Sequence, residues 1–383
     1  MAATERGDVI RAGLGQLGKH PLLLSHVYLE LKVPRSSPPL ESVEILANYP
    51  HLMYVDVSDN RISDLRVLGE LPTLVQLNAS RNCLTECLDF CPPRCTDDDA
   101  WSSGDKAVGS MLTLANLSFN KISELVPGHL GAHPFLETLL LSHNHLDKIQ
   151  GLQSLKFLQV LDLSNNNIAA IQGLSGLRIQ ELNLEGNRLT SATGLADLPH
   201  LSVLNLSHNK IRSLSALSTC SKLLTLNVGH NDLQMVAQTR FLQDIPWLAF
   251  LTLAGNACCG KTNYRCRVLV QLRNLRRLDA LDVTAEELVR TCNLYGIEGG
   301  DLAERRANFA HVFPGEHFED CPSFGDDEEG AALEEDEDSS EVGIAKSLAS
   351  ELFHGVAEGI IESLSVGAAE AVDDNENIEF RLA

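Results

Sequence analysis

Apolar residues in the middle of the chain recur with a period that fits neither an isolated amphipathic helix nor an isolated strand. Three segments share one pattern: LQVLDLSNNNI from Leu158, IQELNLEGNRL from Ile179 and LSVLNLSHNKI from Leu201. Each is apolar at positions 1, 4 and 6, carries Asn at position 9 and ends in Leu or Ile at position 11. A unit this short cannot bury its own apolar side, so the pattern predicts a stack of turns that each contribute one short strand.

The asparagines at position 9 mark the extent of this stack. Their successive intervals are 22, 38, 24, 22, 21, 22, 22 and 25 residues, which is typical of a leucine-rich repeat. The interval of 38 predicts one turn of ordinary length with an insertion at about 87–108. We expect each asparagine side chain to bond backbone groups of the neighbouring turn. The nine are Asn60, Asn82, Asn120, Asn144, Asn166, Asn187, Asn209, Asn231 and Asn256.

These intervals predict an α/β fold, a right-handed leucine-rich repeat solenoid of about ten turns over residues 24–257. Short helical or 3₁₀ segments are expected on the limb opposite the strands. Residues 1–23 are expected to form a helical cap over the first turn, because terminal repeats need covering. The helical spacing rests on Val9, Ile10, Leu14 and Leu17, and the first strand is expected at 24–29, with Leu24, Val27 and Leu29 in the strand positions.

Residues 258–318 are expected to close the other end of the solenoid. From Tyr264 the sequence predicts an amphipathic helix, followed by Leu278 and Asp279. One side of this helix carries Val268, Leu269, Leu272 and Leu275.

The last part of the chain is strongly acidic. Residues 319–383 hold 20 acidic residues against Lys346 and Arg381, whereas the rest of the chain is nearly balanced at −4. Residues 319–340 are expected to be a disordered acidic linker, and 341–383 an amphipathic helix and tail. We expect the helix to dock on another protein, with packing on its own solenoid as the alternative. Its apolar stripe is Ile344, Leu348, Leu352, Val356, Ile360 and Leu364.

Composition excludes several classes of function. A net charge of −22 argues against a nucleic-acid partner, because phosphate binding needs an excess of Lys and Arg. No run of 18 apolar residues and no signal-peptide core occurs, so we expect no membrane partner. Ten cysteines without a secretory signal indicate reduced thiols in an intracellular protein.

One stretch, GNACCGKT from Gly255 to Thr262, matches the phosphate-binding loop of nucleotide-binding proteins. Gly255 and Asn256 already fill positions 8 and 9 of a repeat, however, and the parallel sheet that would hold a magnesium-binding Asp is not predicted. We therefore expect a chance match, with nucleotide binding as a remote alternative.

Two other groups of residues have the chemistry of metal ligands. Cysteines recur every four residues near the insertion, but structural zinc sites use paired close spacings with a long gap between pairs. Free thiols are the expected state, with zinc as the alternative. Three histidines share position 8, without an evident third ligand for any pair on adjacent turns. The residues are Cys83, Cys87, Cys91 and Cys95, and His143, His208 and His230.

No catalytic arrangement stands out, since acids such as Asp56, Asp162, Glu181 and Glu185 are expected at ordinary exposed strand positions. We predict no enzyme activity, no cofactor and no small-molecule substrate. Positions 3 and 5 of each turn point away from the core because side chains alternate along a strand. Their apolar members form a candidate protein-binding surface on the concave face: Tyr54, Leu114, Leu140, Val160, Val203 and Phe250.

Two resemblances sharpen the expected function. GLGQLGKHPLLLSHVYLELKV, from Gly13, and LANYPHLMYVDVSDNRISDL, from Leu46, resemble the start of the leucine-rich-repeat protein of ciliary radial spokes. The closing segment resembles the cap of the intracellular, phosphatase-regulator-like class of leucine-rich repeat proteins, although Ala257 follows Asn256 where that class has proline. The matching cap positions are Tyr264, Arg265, Val268, Leu272, Leu275, Leu278, Asp279, Val283, Thr284, Glu286 and Glu287.

The first resemblance implies a structural component of the axoneme of motile cilia or flagella, in the cytoplasm and cytoskeleton, with other spoke subunits as partners. The second implies the alternative function, a regulatory subunit of a type-1 protein phosphatase. In both cases the expected role is that of a non-catalytic scaffold.

Overall fold

The structure of the chain is a computed structural model that describes residues 9, 12–16, 28–90, 110–295 and 301–318. One sheet contains its strands in chain order from β1 to β13. The strands are β1 Leu14–Gln16, β2 Tyr28–Lys32, β3 Tyr54–Asp56, β4 Gln76–Asn78, β5 Leu114–Asn116, β6 Thr138–Leu140, β7 Val160–Asp162, β8 Glu181–Asn183, β9 Val203–Asn205, β10 Thr225–Asn227, β11 Phe250–Thr252, β12 Arg277–Leu278 and β13 Leu281–Asp282.

Strand pairing confirms the solenoid of about ten turns. Each strand from β2 to β11 runs parallel to the next, with the same repeat positions opposite one another, and β13 pairs antiparallel with β12. Positions 4 and 6 point into the core: Leu204 and Leu206 of β9 and its continuation are both fully buried. Burying one leucine side chain is worth about 2 kcal/mol, and every turn contributes several.

The opposite limb of most turns contains a short helical piece, as expected, whereas the described limbs at 163–180 and 184–202 have only turns and bends. An α-helix, α1, covers Pro127–Leu130, with proline in its first position. The 3₁₀ helices are Glu44–Asn48, Arg66–Glu70, Leu152–Ser154, Ser215–Leu217, Val236–Leu242 and Ala257–Gly260.

The asparagine ladder forms as predicted. In Asn187 the Nδ2 group donates to the carbonyls of Leu163 (2.9 Å) and Leu184 (3.0 Å), and Oδ1 accepts the Ile168 N–H (3.0 Å). All nine ladder side chains are buried and bond the preceding turn in this way. They satisfy loop amides and carbonyls that would otherwise be buried without partners.

The N-terminal cap differs from the prediction. Val9, Ala12 and Gly13 are helical, but Leu14 begins β1, which pairs antiparallel with β2 and extends the sheet instead. The first repeat strand also begins four residues later than expected. Leu31 pairs opposite Val55 of β3 and is fully buried, so β3 rather than the local pattern sets the register. The expected strand residues Leu24 and Val27 and the cap residues Ile10 and Leu17 lie outside the described residues.

The insertion begins later than predicted. Cys87 and Phe90 are 0% and 3% exposed and take the core positions that Leu65 and Leu68 hold one turn earlier. Cys87 is therefore part of the core rather than of an inserted loop, because a thiol behaves as a small apolar group. The extra residues follow Phe90, and 91–109 lie outside the described residues.

The C-terminal cap contains a shorter helix than predicted. Helix α2 covers Tyr264–Gln271 and ends before Leu272 and Leu275. Leu275 and Leu278 instead fill positions 1 and 4 of one further turn, whose strand β12 pairs with β11. Two helices follow, α3 at Ala285–Tyr295 and α4 at Leu302–Val312, and they pack against each other.

Residues that carry the cap resemblance contact one another. The Tyr264 hydroxyl donates to Asp279 Oδ2 (3.1 Å), and Asp279 Oδ1 accepts the N–H of Leu253 in the last repeat (2.8 Å). Arg265 forms an ion pair with Glu287 and donates to the Leu278 carbonyl (2.9 Å). These bonds join helix α2 and the last turn, and they satisfy backbone groups at the C-terminal end of the solenoid. The predicted linker and tail helix at 319–383 lie outside the described residues, and no helix that the structure describes is long and apolar enough to span a membrane.

Candidate binding face

The structure places the six predicted face residues on the side of the sheet opposite the core. Tyr54 is 40% exposed, and the others are partly exposed. Their neighbours at positions 4 and 6 are buried, which follows from the alternation of side chains along a strand. Their proposed role in partner binding stays a prediction.

Three of the six come together on adjacent strands. Leu114 of β5 and Val160 of β7 both pair opposite Thr138 of β6, and Leu140 lies two residues further along β6. Adjacent strands are about 4.8 Å apart, so these three side chains lie within one small area. The remaining three are separated from this group by polar residues at position 3. Those interrupting residues are Gln76, Glu181 and Thr225.

Position 5 has a structural role that the sequence did not indicate. In seven turns an Asn or Asp there accepts the N–H of the residue two positions on, at 2.9 to 3.2 Å. This bond satisfies an amide just past the end of the strand. The first and last repeat strands lack it, with Lys32 and Thr252 at position 5. Among the interior strands Leu140 is the exception, and it cannot accept the N–H of Ser142.

Sequence reasoning missed an apolar edge on the same three turns. Met111, Phe135 and Phe157 are 50%, 41% and 49% exposed, and the two phenylalanine rings lie 5.9 Å apart. Each directly precedes the buried position-1 leucine of β5, β6 or β7. This position is polar in most other turns, so three consecutive apolar residues there could have indicated the edge from the sequence alone. Its other occupants are His51, Thr73, Arg178, His200, Lys222 and the exposed Trp247.

We call the three face residues and the three edge residues together the β5–β7 patch. Position 3 lies three residues beyond the edge position, about 10 Å along the strand. Large exposed apolar patches on soluble domains mark interaction surfaces. Phosphate or sugar recognition would need charged or amide groups here, and the patch offers none of its own.

Asp162, beside the patch, is not an ordinary exposed acid as expected. It is 7% exposed, its Oδ1 accepts the Ser164 N–H (2.9 Å), and burial raises the pKa of its carboxyl group. Glu185 accepts a hydrogen bond from Asn205 Nδ2 (3.0 Å). Both carboxylates therefore have structural hydrogen-bond partners.

The segment that matches a phosphate-binding loop has the wrong backbone for that role. A phosphate cradle directs free N–H groups at the ligand, but here they bond the chain itself. The Cys258 N–H donates to the Leu233 carbonyl (3.0 Å), and the Lys261 N–H donates to the Cys258 carbonyl (3.2 Å). Gly255 has φ +79° and lies against the His230 ring, where an added Cβ would be 2.4 Å from Nδ1.

Among the described residues, the candidate metal ligands do not converge. Cys87 is fully buried, and burial raises the pKa of its thiol to about 12. Cys91 and Cys95 lie outside the described residues. The rings of His208 and His230 stack with centroids 4.3 Å apart and 9° between planes, so their nitrogens do not point at a shared centre. In the described part of the chain no three His, Cys, Asp or Glu side chains are placed to hold a metal ion.

Matches to protein-family models support the repeat assignment. Leucine Rich repeats (2 copies) match residues 134–176 and 178–219, and a Leucine Rich repeat matches 50–65. A crystal structure of an internalin from Listeria monocytogenes is similar at 18% identity and a TM-score of 0.41, covering 73% of this chain and 95% of that one.

Two curated proteins are similar over part of the chain. Leucine-rich repeat-containing protein 23 from Homo sapiens is 32% identical over 149 residues, 39% of this chain and 37% of that protein. Cilia- and flagella-associated protein 410 from Mus musculus is 48% identical over 52 residues, 13% of this chain and 21% of that protein. The chain thus spans little more than a third of the length of leucine-rich repeat-containing protein 23, and less of the other relative. Together with the asparagine ladder and the one-strand turns, the family matches show that the chain contains a leucine-rich repeat domain.

Proposed function

We propose that this protein is a non-catalytic scaffold of the motile ciliary or flagellar axoneme, built into the radial spoke. Its partner is another axonemal protein that contacts the β5–β7 patch. The tail stripe from Ile344 to Leu364 supplies a second contact, and two linked contacts raise avidity beyond either one alone.

The ciliary setting is supported by two similarities of sequence. The lead-in from Gly13 resembles the leucine-rich-repeat protein of radial spokes. In addition, a 52-residue match connects the chain to a protein named for its association with cilia and flagella. The phosphatase alternative is supported by the cap, in which Tyr264 bonds Asp279 and Arg265 pairs with Glu287.

The observation that carries the binding site is Leu140. Seven turns use Asn or Asp at position 5 to bond an N–H beyond the strand, and Leu140 gives up that bond in the middle of the solenoid. Instead it places an apolar side chain on β6, the strand between those that carry Leu114 and Val160. A residue that forgoes a stabilising bond to expose apolar surface is expected where a partner covers that surface.

Retention of tagged full-length protein in axonemes tests the proposal. After detergent and moderate salt, axonemes of flagellated cells are pelleted, and we expect the protein in the pellet. The double variant Phe135→Asp, Phe157→Asp should move it to the supernatant. Trp247→Asp is the matched control, because Trp247 occupies the same repeat position four strands away and is 67% exposed.

Wild-type protein in the soluble fraction would refute the axonemal role, and recovery of a phosphatase with it would favour the alternative. Equal loss with Trp247→Asp would show that the β5–β7 patch is not the contact.

A further inference from the structure

The carboxyl-terminal edge of the sheet, where each strand enters its loop, is lined by positions 8 and 10 of the repeats. It carries cations that have no partner. Each of them is exposed, and within the described residues none forms an ion pair with an acid. They are Arg35, Arg61, Lys121, Arg188 and Lys210.

The basic residues at the start of this edge lie close together. Arg35, Arg61 and Arg81 line one depression together with Asp59. Arg81 lies 3.9 Å from Asp59, and its guanidinium stacks on the Phe119 ring at 4.1 Å. Asp59 therefore offsets part of the charge of three guanidinium groups and leaves a net positive depression.

Acids on the neighbouring loop positions have partners of their own. Asp64 pairs with Arg66, which lowers the pKa of that carboxyl group, and Asp232 lies 3.9 Å from Arg212. Glu124 accepts a hydrogen bond from Gln150. Asp147 also lies on this side, two positions beyond His145. These acids thus offset the edge only in part.

The five unpaired cations extend along one line. They lie on turns from β2 to β9, which at about 4.8 Å per strand is a distance of roughly 34 Å. An extended peptide rises about 3.3 Å per residue, so a segment of roughly ten residues would follow the whole row. A row of separated cations fits an extended chain of carboxylates better than a single compact anion.

We propose that this edge is a docking site for an extended acidic peptide, and that its occupant is residues 326–341 of this same chain. That segment, DDEEGAALEEDEDSSE, holds ten acidic residues and no Lys or Arg. Residues 319–325 connect it to Phe318 and can span roughly 23 Å when extended.

Tethering favours this occupant over a free acidic partner. A short flexible connection gives the segment an effective concentration in the millimolar range, which many weak ion pairs can exploit. Each pair is solvent-exposed, so the contact should weaken steeply with salt as the Debye length falls from about 10 Å at 0.1 M to 3 Å at 1 M.

Zero-length carbodiimide cross-linking of the dilute full chain tests the contact directly, because it joins only amines and carboxylates that touch. We expect Lys121 and Lys210 to couple to carboxylates within 326–341, in monomers, at 50 mM but not at 1 M salt. Lys156 and Lys222 are matched controls, because they are equally exposed on the opposite edge. Coupling of all four lysines alike, or coupling only between molecules, would overturn the proposal.

A second measurement does not depend on lysine chemistry. The amide resonances of residues 326–341 in the full chain should shift between 50 and 500 mM salt. The shift should disappear in the variant R61E, K121E, K210E and persist in K156E, R178E, K222E, which changes the net charge equally on the opposite edge. Arg81 is left intact because it stacks on Phe119. An unaltered shift in the edge variant would overturn the proposal.

Discussion

Replacing Leu140 by Asn separates the stability of the solenoid from its binding activity. The new side chain would lie where seven other turns have an Asn or Asp that accepts an N–H at 2.9 to 3.2 Å. It could accept the Ser142 N–H in the same way. A hydrogen bond of this kind contributes about 1 kcal/mol, which raises the melting temperature by about 2 °C for a domain of this size.

Binding should change in the opposite direction. If a partner buries Leu140, losing that leucine removes about 2 kcal/mol of apolar burial. At 1.4 kcal/mol per tenfold change, the affinity should fall about 30-fold. Most substitutions that weaken binding at a surface leave stability unchanged or lower it, so a gain in stability with a loss in affinity is diagnostic.

The assay uses purified full-length protein. Its melting temperature is followed by circular dichroism, and its affinity by co-sedimentation with axonemes from which the native protein has been extracted. Leu140→Ala is the first control, because it removes the leucine without supplying an acceptor, and should weaken binding with no gain in stability. Asn116→Leu is the reciprocal control: Asn116 is paired opposite Leu140 and accepts the Ser118 N–H (3.1 Å), so stability should fall by about 1 kcal/mol.

Two outcomes would refute the reasoning. A lower melting temperature for Leu140→Asn would show that position 5 does not stabilise this turn. Unchanged affinity with raised stability would remove Leu140, and with it the central part of the β5–β7 patch, from the contact.

Further predictions concern the core and the cap. Burial lowers the pKa of His133 to about 4, so the folded protein keeps this side chain neutral at both pH 7 and pH 5. In the unfolded chain the histidine takes up a proton as the pH falls below its usual pKa of about 6.5. The free energy of unfolding should therefore fall by about 2 kcal/mol between pH 7 and pH 5. His133→Leu should abolish that dependence and raise stability by about 1 kcal/mol, checked by urea unfolding at both pH values; an unchanged pH dependence would contradict this. Asn187→Ala breaks three buried bonds and should cost about 3 kcal/mol in the same assay, against less than about 0.5 for Gln153→Ala at an exposed position. Cys87 should resist alkylation in the native protein and react on unfolding, because burial raises the pKa of its thiol to about 12; mass spectrometry of native protein with Cys87 labelled would contradict this.

His133 is a core residue that the sequence did not predict. It occupies the place of a core leucine such as Leu155 or Leu198 in other turns, and it is fully buried against Phe90, with ring centroids 4.8 Å apart. Neither ring nitrogen has a hydrogen-bond partner, although the carbonyls of Leu88 and Phe90 face the ring. Because this turn departs from the repeat pattern and lies beside an insertion, the sequence did not indicate that His133 fills a core position.

The errors at the two ends share a cause. Leu14 and Leu275 were both assigned to helices on their local apolar spacing, and both belong to sheet structure. A strand neighbour recruits each segment: β2 pairs with β1, and β11 pairs with the strand that follows Leu275. Local spacing cannot show this, because the competing backbone partner is distant in sequence.

The periodic pattern of the sequence is sufficient to predict the repeat, about ten turns and the asparagine ladder. In a solenoid each turn contacts only its neighbours, so one periodic pattern specifies the core throughout its length. Which surface residues meet depends on how the strands pair. Leu114, Leu140 and Val160 are 26 and 20 residues apart, and parallel pairing in register places them side by side. The pairing also showed that Leu140 stands where other turns form a hydrogen bond, and that unpaired cations follow one edge, because both depend on contacts across the strands rather than along the chain.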